Sequence, residues 1–431
     1  MTLRHAALAG LSAILLLASC KKDKDDTPPT VVIIEPAAGT TISIPDTLNI
    51  RVQVSDEHVV RSLTVELSNA ANTIVASAGT RDLNNSAGTY TFSLPLTNER
   101  LPSGTYTIVA RASDGTNDGR GFLRLNVLEA PLRLRAIFLA PPFSTNTTTI
   151  THIDSLGQLS TFATVQDFNG IAVDSYSQHL FVAGSQYAPF HAFPTALAAN
   201  GWQVPSPTND QPEQFTAVTV DPLDRRLYFA TRDGFIRGFT GEGAQQFTAQ
   251  CLPDHRCGAI VMMETEVATW QRAIVGSASR IVTYTVAGTI YEQLPVEHDR
   301  VALFHRSGTS LIHFANANGS GLIEHINITD GGTPDIHTFN GEMIRAVVRL
   351  DTHRYIIALT DRLIRWDHQA QQATPLTTGI TTDAMAYEAA TGALYIAEGS
   401  TLITLDPNSG AIVNSLPTGS AIGHILPLLN R

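Results

Sequence analysis

Ala217-Val218-Thr219-Val220, a polar turn, and Arg226-Leu227-Tyr228-Phe229-Ala230 form a pair of short apolar runs rich in β-branched and aromatic residues. Such a pair, divided by Asp, Pro and Arg, predicts two antiparallel strands. The pair recurs. First runs stand at Gly170-Ile171-Ala172-Val173, Ala217-Val218-Thr219-Val220, Ala259-Ile260-Val261-Met262, Val301-Ala302-Leu303-Phe304, Arg345-Ala346-Val347-Val348 and Ala384-Met385-Ala386-Tyr387, with starts 47, 42, 42, 44 and 39 residues apart. Second runs follow at His179 to Ala183, Arg226 to Ala230, Ala273 to Gly276, Leu311 to Ala315, Tyr355 to Ala358 and Leu394 to Ala397. Third runs are expected near Phe190 to Phe193 and at Phe235 to Phe239, Ile281 to Val286, Ile323 to Ile328, Leu363 to Trp366 and Leu402 to Leu405. Fourth runs are expected near Gln246, Ile290, Ile336 and Ile412.

Four strands repeating every forty-odd residues is the period of a propeller blade, a sheet that buries its faces only against neighbouring copies. The two ends complement each other. Residues 132–165 supply three runs that match strands two, three and four of a repeat, whereas Ile422-Gly423-His424-Ile425-Leu426 matches strand one alone. Together they predict a seventh blade, so residues 131–431 read as a seven-bladed β-propeller closed by its C-terminal strand, an arrangement that hides sheet edges.

Ala172-Val173-Asp174 to Ala183, Val220-Asp221-Pro222-Leu223-Asp224-Arg225-Arg226-Leu227-Tyr228-Phe229-Ala230 and Leu405-Asp406-Pro407-Asn408-Ser409-Gly410 resemble the repeats of bacterial propellers of the YVTN, NHL and quinoprotein-dehydrogenase-like group. The resemblance implies the fold. It implies no single activity, because that group holds hydrolases, lyases, redox enzymes and plain binding modules.

Upstream, residues 30–129 carry about seven short strand-like runs, among them Thr47 to Val54, Ser62 to Leu67, Tyr90 to Leu94, Thr105 to Ala110 and Phe122 to Val127. Gly, Pro, Asn and Asp turns separate them, which predicts an immunoglobulin-like β-sandwich. Gly104 to Gly115 resembles the late strands of bacterial immunoglobulin-like and cadherin-like modules. Asp56, Glu57, Asp114 and Asp118 could gather round calcium or serve as turn acids. Turn acids are expected, since the close Asp-x-Asp spacing of a calcium loop is missing. The whole chain therefore reads as all-β, with the sandwich as a spacer.

Residues 1–19 have the plan of a secretory signal, with Arg4 and His5 before an apolar run from Ala6 to Ala18. That run is too short to span a bilayer. Leu17-Ala18-Ser19-Cys20 resembles the lipobox of bacterial lipoproteins, which implies cleavage before Cys20 and a lipid anchor on it. Residues 20–29, charged and ending in Pro28-Pro29, predict a flexible tether. Lys21 to Pro29 also resembles the signal that sends Bacteroidetes-type lipoproteins to the outer membrane, facing the cell exterior, with the periplasmic face as the alternative. The membrane, through the anchor, is then one partner.

A net charge of −11 argues against nucleic acid, whose phosphates demand a basic surface. All three lysines, Lys21, Lys22 and Lys24, fall in the tether, so lysine-based covalent chemistry is excluded from the rest. No zinc helix, phosphate loop or nucleophile elbow is present in the sequence. No cofactor, metal or catalytic residue is assigned.

Because propellers act at the channel mouth, the residues that open the innermost strands are the candidates for ligand binding. These are Asn169, Arg300, Arg345, Asp383 and His424, which could hold an acidic or hydroxylated ligand or serve as hydrogen-bonded caps. Trp202, with Tyr187, Phe190 and Phe193, forms a second candidate, an aromatic rim for sugar rings or else blade core. Cys251 and Cys257, six apart in an exported chain, predict a local disulfide. The resulting expectation is a surface lipoprotein that binds a protein or glycan. The alternative is an exported lyase or hydrolase, which gains if Arg345, Asp383 and His424 face one open pocket.

Overall fold

Strands are the only regular elements among the described residues of the computed structural model, which are 26–196, 199, 201–206, 213–221, 225–332 and 334–431. The secretory segment, Cys20, Lys21 to Asp25 and Pro222 to Asp224 lie outside them. The chain divides into two compact units, residues 1–131 and 132–431.

In the first unit two strands of 23 residues each, Asp46–Ser68 and Ile74–Leu96, pair along nearly their whole length. The early half of Asp46–Ser68 also pairs with Thr30–Glu35, and the late half with Gly104–Ser113, which leads on to Asp118–Leu128 and Thr41–Ser43. Ile50, Val52, Val54, Leu63, Val65, Leu67, Leu94 and Ile108 belong to one buried cluster and mostly alternate with more exposed neighbours. That period of two is what a half-buried strand requires. Tyr106 donates its hydroxyl to Pro102 O at 2.9 Å, tying a late strand to the backbone just upstream. The same bond is a hallmark of immunoglobulin-like sandwiches.

The second unit contains, among the described residues, seven four-stranded antiparallel sheets. We number them in chain order: residues 170–204, 215–250, 255–296, 299–339, 346–378 and 385–417 form sheets 1 to 6. Sheet 7 joins Leu134–Ala140, Thr148–Asp154 and Leu159–Val165 to the C-terminal strand His424–Leu429. The first strands of successive sheets lie side by side, and His424–Leu429 lies next to both Met385–Glu388 and Gly170–Asp174. The neighbour relation is therefore cyclic.

His424–Leu429 pairs with Leu134–Ala140 in the register His424↔Ala140, Leu426↔Phe138 and Leu428↔Ala136. Gly423 and Asn430 extend the seam, through Gly423 N to Ala140 O at 2.8 Å and Arg133 N to Asn430 Oδ1 at 2.9 Å. The strand begins two residues later than Ile422. It runs through Pro427, which an innermost strand tolerates because one of its sides has no ladder to donate to.

Second strands are buried on both faces, as in His179–Ala183 and Leu227–Thr231, and so appear as unbroken apolar runs. Sheet 3 departs from the expectation. Its second strand is Glu266–Ala273, while Ile274 to Gly276 form an exposed loop in which Val275 is 88% exposed. Polar Thr269 and Gln271 obscured that strand. Inside the sheet they are satisfied: Gln271 Nε2 donates to Thr269 Oγ1 at 2.9 Å and to Tyr284 OH at 2.7 Å.

The aspartates of the repeat build its turns. Asp174 accepts from Tyr176 N at 2.9 Å and Ser177 N at 3.0 Å, and Asp406 accepts from Asn408 N at 2.8 Å. Such Asx turns explain why Asp follows the apolar run.

Candidate functional site

Arg345, Asp383 and His424 stand at the openings of the innermost strands of sheets 5, 6 and 7. Arg345 is fixed by its backbone N–H to Ala358 O at 2.8 Å, and its Nη2 lies 2.6 Å from Asp383 Oδ2. With Asp383 69% exposed, the pair is a solvated one. His424 sets its ring edge against Phe168, centroids 5.5 Å apart, and burial pushes its imidazole down to about 4. It is neutral at neutral pH. All three line one open cavity of about 280 Å³, together with Val301 and Met385. The cavity thus offers a guanidinium, a carboxylate and a neutral imidazole.

Asn169 and Arg300 do not join them. Asn169 donates its side-chain amide to Phe215 O and lines a separate cavity of about 480 Å³ at the same end of the unit, next to Arg256, Arg272 and Trp270. Arg300 is buried. Its Nη2 donates to Gly258 O at 2.9 Å, its Nη1 to Val301 O at 3.2 Å, and its Cζ lies 5.5 Å from the Trp270 ring centroid. Burial lowers its pKa from the ordinary arginine value. The expected single cluster of five is therefore corrected to two cavities, because Arg300 is drawn away to backbone carbonyls that would otherwise go unpaired.

Trp202 is half-buried and packs against the core of sheets 1 and 2. Its ring lies 5.6 Å from Phe239 and 5.9 Å from Phe190, and its indole N–H donates to Gly241 O at 2.9 Å. Phe190 and Phe193 are buried, and Tyr187 is exposed. Phe190 and Trp202 seal sheets 1 and 2 together, while Phe193 packs into the core between sheets 7 and 1.

Cys251 and Cys257 are both free and buried, and the expected disulfide is not formed. The two thiols are in hydrogen-bond contact, and Ala259 O, 3.2 Å from Cys257 Sγ, is the alternative acceptor for the one Cys257 S–H. Burial pushes the Cys257 thiol up, while the hydrogen bond from Cys257 lowers that of Cys251.

In the first unit Asp114 accepts from Thr116 N at 2.5 Å and Asn117 N at 2.7 Å, and Asp56 accepts from His58 N at 2.9 Å. Asp118 faces Arg111 at 3.6 Å. These acids serve turns and a strand pair.

Two polar groupings carried no signal in the sequence. Glu324 of sheet 4 receives His313 Nδ1 at 2.6 Å and His298 Nδ1 at 2.9 Å. At the opposite end from Arg345, His325 and His368 meet ring to ring at 5.8 Å, and Arg306 lines an apolar cavity of about 560 Å³. Their members are far apart in sequence, so only strand register assembles them.

Residues 29–110 match the family Big_7, Bacterial Ig domain. No curated protein matches the chain. Among solved structures, the fold is similar to the computationally designed Ika8 protein, with 16% identity, a TM-score of 0.47, and coverage of 67% of this chain and 90% of that one. It is also similar to BamB from Moraxella catarrhalis, with 12% identity, a TM-score of 0.40, and coverage of 59% and 89%.

Proposed function

We propose that this chain is an envelope lipoprotein, anchored through Cys20 at the outer membrane and facing the cell exterior, whose seven-bladed propeller binds a protein or glycan ligand. The bacterial Ig-like module at residues 29–110 serves as the spacer between anchor and propeller. The seventh blade is completed by His424–Leu429.

One observation carries the binding reading: Arg345, Asp383 and His424, from three sheets, line one open cavity where the innermost strands begin. Convergence of charged side chains from distant parts of a chain on a concave surface is the ordinary form of a ligand site. The same convergence favours a second reading, that of a lyase or hydrolase. Against it stands the chemistry available. Asp383 is ion-paired, and an imidazole that protonates only near pH 4 is a weak base at neutral pH.

The test is a glycan array and an envelope-protein pull-down with the soluble chain from Thr30 onward, repeated with Arg345→Ala and Asp383→Ala. Retention of a ligand by the unaltered protein and its loss in both variants is the expected result. Turnover of a retained glycan, abolished by His424→Ala, would replace binding with catalysis.

A further inference from the structure

At the opposite end from Arg345, where the innermost strands of sheets 2 to 5 finish, lies the cavity of about 560 Å³ that Arg306 lines. Its wall is largely apolar: Val220, Val261, Met262 and Phe304, each half-buried, face it beside buried Leu303. Phe304 is held edge-on to Phe314, with centroids 5.9 Å apart. The volume lies within the ~300–1,000 Å³ of small-molecule sites, which are mostly apolar with a few placed polar groups.

Arg306 is the placed charge. It is half-buried, makes no hydrogen bond or ion pair among the described residues, and keeps its guanidinium nitrogens open to solvent. The other arginine of the lining, Arg349, is already committed: its Nε donates to Asp351 O at 2.9 Å and its Nη1 to His305 O at 2.8 Å. The acids of this end are committed too. Asp351 pairs with Arg354 at 2.6 Å, Glu264 accepts from Gly308 N at 3.4 Å, and Asp221 is buried and engaged. The imidazoles near Arg306 feel its charge without answering it: His325 and His368 are pushed down by burial first and then by Arg306, His368 to about 4. A half-buried guanidinium without a counter-ion is destabilising, so this one calls for an anion from outside the chain. One free cation matches one negative charge, and a planar carboxylate is what the guanidinium fork takes bidentately. The apolar wall suits hydrocarbon for the remainder of the ligand, and the unbranched thioether of Met262 adapts to a flexible chain.

We infer that this cavity binds a fatty acid, its carboxylate on Arg306 and its alkyl chain along Val261, Met262 and Phe304. The site is separate from the Arg345 cavity and stands or falls apart from the reading above.

The experiment is calorimetric titration of the full chain in digitonin, a steroid detergent with no alkyl chain to compete, using octanoate, octanol, acetate and N-acetylleucine. Saturable octanoate binding is expected, at least ~10-fold tighter than octanol, which lacks the charge, or acetate, which lacks the chain. Losing a hydrogen bond to a charged group weakens affinity ~10–100-fold, the change expected for Arg306→Gln, whereas Arg306→Lys keeps the charge and should lose less. Val261→Thr keeps the shape but sets a hydroxyl against the alkyl chain, and should weaken binding ~5-fold or more. Arg272→Gln, on a solvated pair at the Arg345 end, should bind as the unaltered protein does. The comparison of probes is made on the unaltered protein, so it decides even where a variant fails to fold. The proposal is overturned by no saturation with octanoate, by octanol or acetate binding as tightly, or by N-acetylleucine, whose amide finds no match in the apolar wall, binding more tightly. It is also overturned if Arg306→Gln retains full affinity, which would move the ligand elsewhere.

Discussion

His313 Nδ1 lies 2.6 Å from Glu324 Oε2 in the interior of sheet 4, and the other carboxylate oxygen is taken by His298. Burial pushes the Glu324 carboxyl up, but the hydrogen bond and charge of His313, followed by those of His298, outweigh it and hold it below the ordinary 4.5. A carboxylate with a lowered folded pKa stabilises fully above about pH 4.5 and loses its contribution as pH falls through the folded value. Glu324→Gln should cost about 3 kcal/mol at pH 7, the scale for breaking a buried pair. Urea midpoints from pH 7 to 3 check this: the variant should show a shallower acid limb, and an unchanged limb would refute the assignment.

His424 and His368 are both pushed down to about 4, His424 by burial and His368 by burial and then by the nearby Arg306, His325 and His353. The unfolded chain therefore takes up their protons first, and stability falls as pH drops from about 6.5 toward 4. Proton NMR of the imidazole ring signals should show neither residue titrating above pH 5. A His424 midpoint near 6.5 would mean that the ring is solvated.

Deleting residues 424–431 removes the innermost strand of sheet 7 and bares the edge of Leu134–Ala140. The second unit should lose its cooperative thermal transition and aggregate on size-exclusion chromatography. A truncated chain that melts with the full-length midpoint would show that the seam is dispensable.

Trp202→Ala should destabilise by about 2–3 kcal/mol, below the ~3–5 kcal/mol for emptying a fully buried aromatic site because the ring is half-buried. Gly243→Ala should act on the same contact, because Gly243 has φ +89 and a Cβ there would stand 2.9 Å from Trp202 Cδ2. Guanidinium denaturation measures both. Unchanged stability together with lost glycan binding would return Trp202 to a ligand-binding role.

The repeat was legible because inner strands such as Tyr355 to Ala358 are buried on both faces and must be apolar throughout. Outer strands face solvent. Gln372–Thr378, with the sequence QATPLTT, and the three-residue Trp202–Val204 have no apolar run to detect. Site geometry was half legible. Arg345 and Asp383 hold equivalent repeat positions in adjacent sheets, so equal place in the repeat brought them together. Arg300 holds a similar place, but the register shift between Arg300 and Ala302 re-aims the chain there, and no sequence pattern announces a bulge. The partners of Glu324 come from cross-strand register alone, which a one-dimensional pattern does not contain.

The bond between Arg133 and Asn430 spans 297 positions of the chain. Strands this remote can meet only after everything between them has been made, so sheet 7 cannot be completed before the rest of the second unit has left the ribosome. Pairing at such a separation is slow, and the waiting edge is the natural place for a chaperone to act.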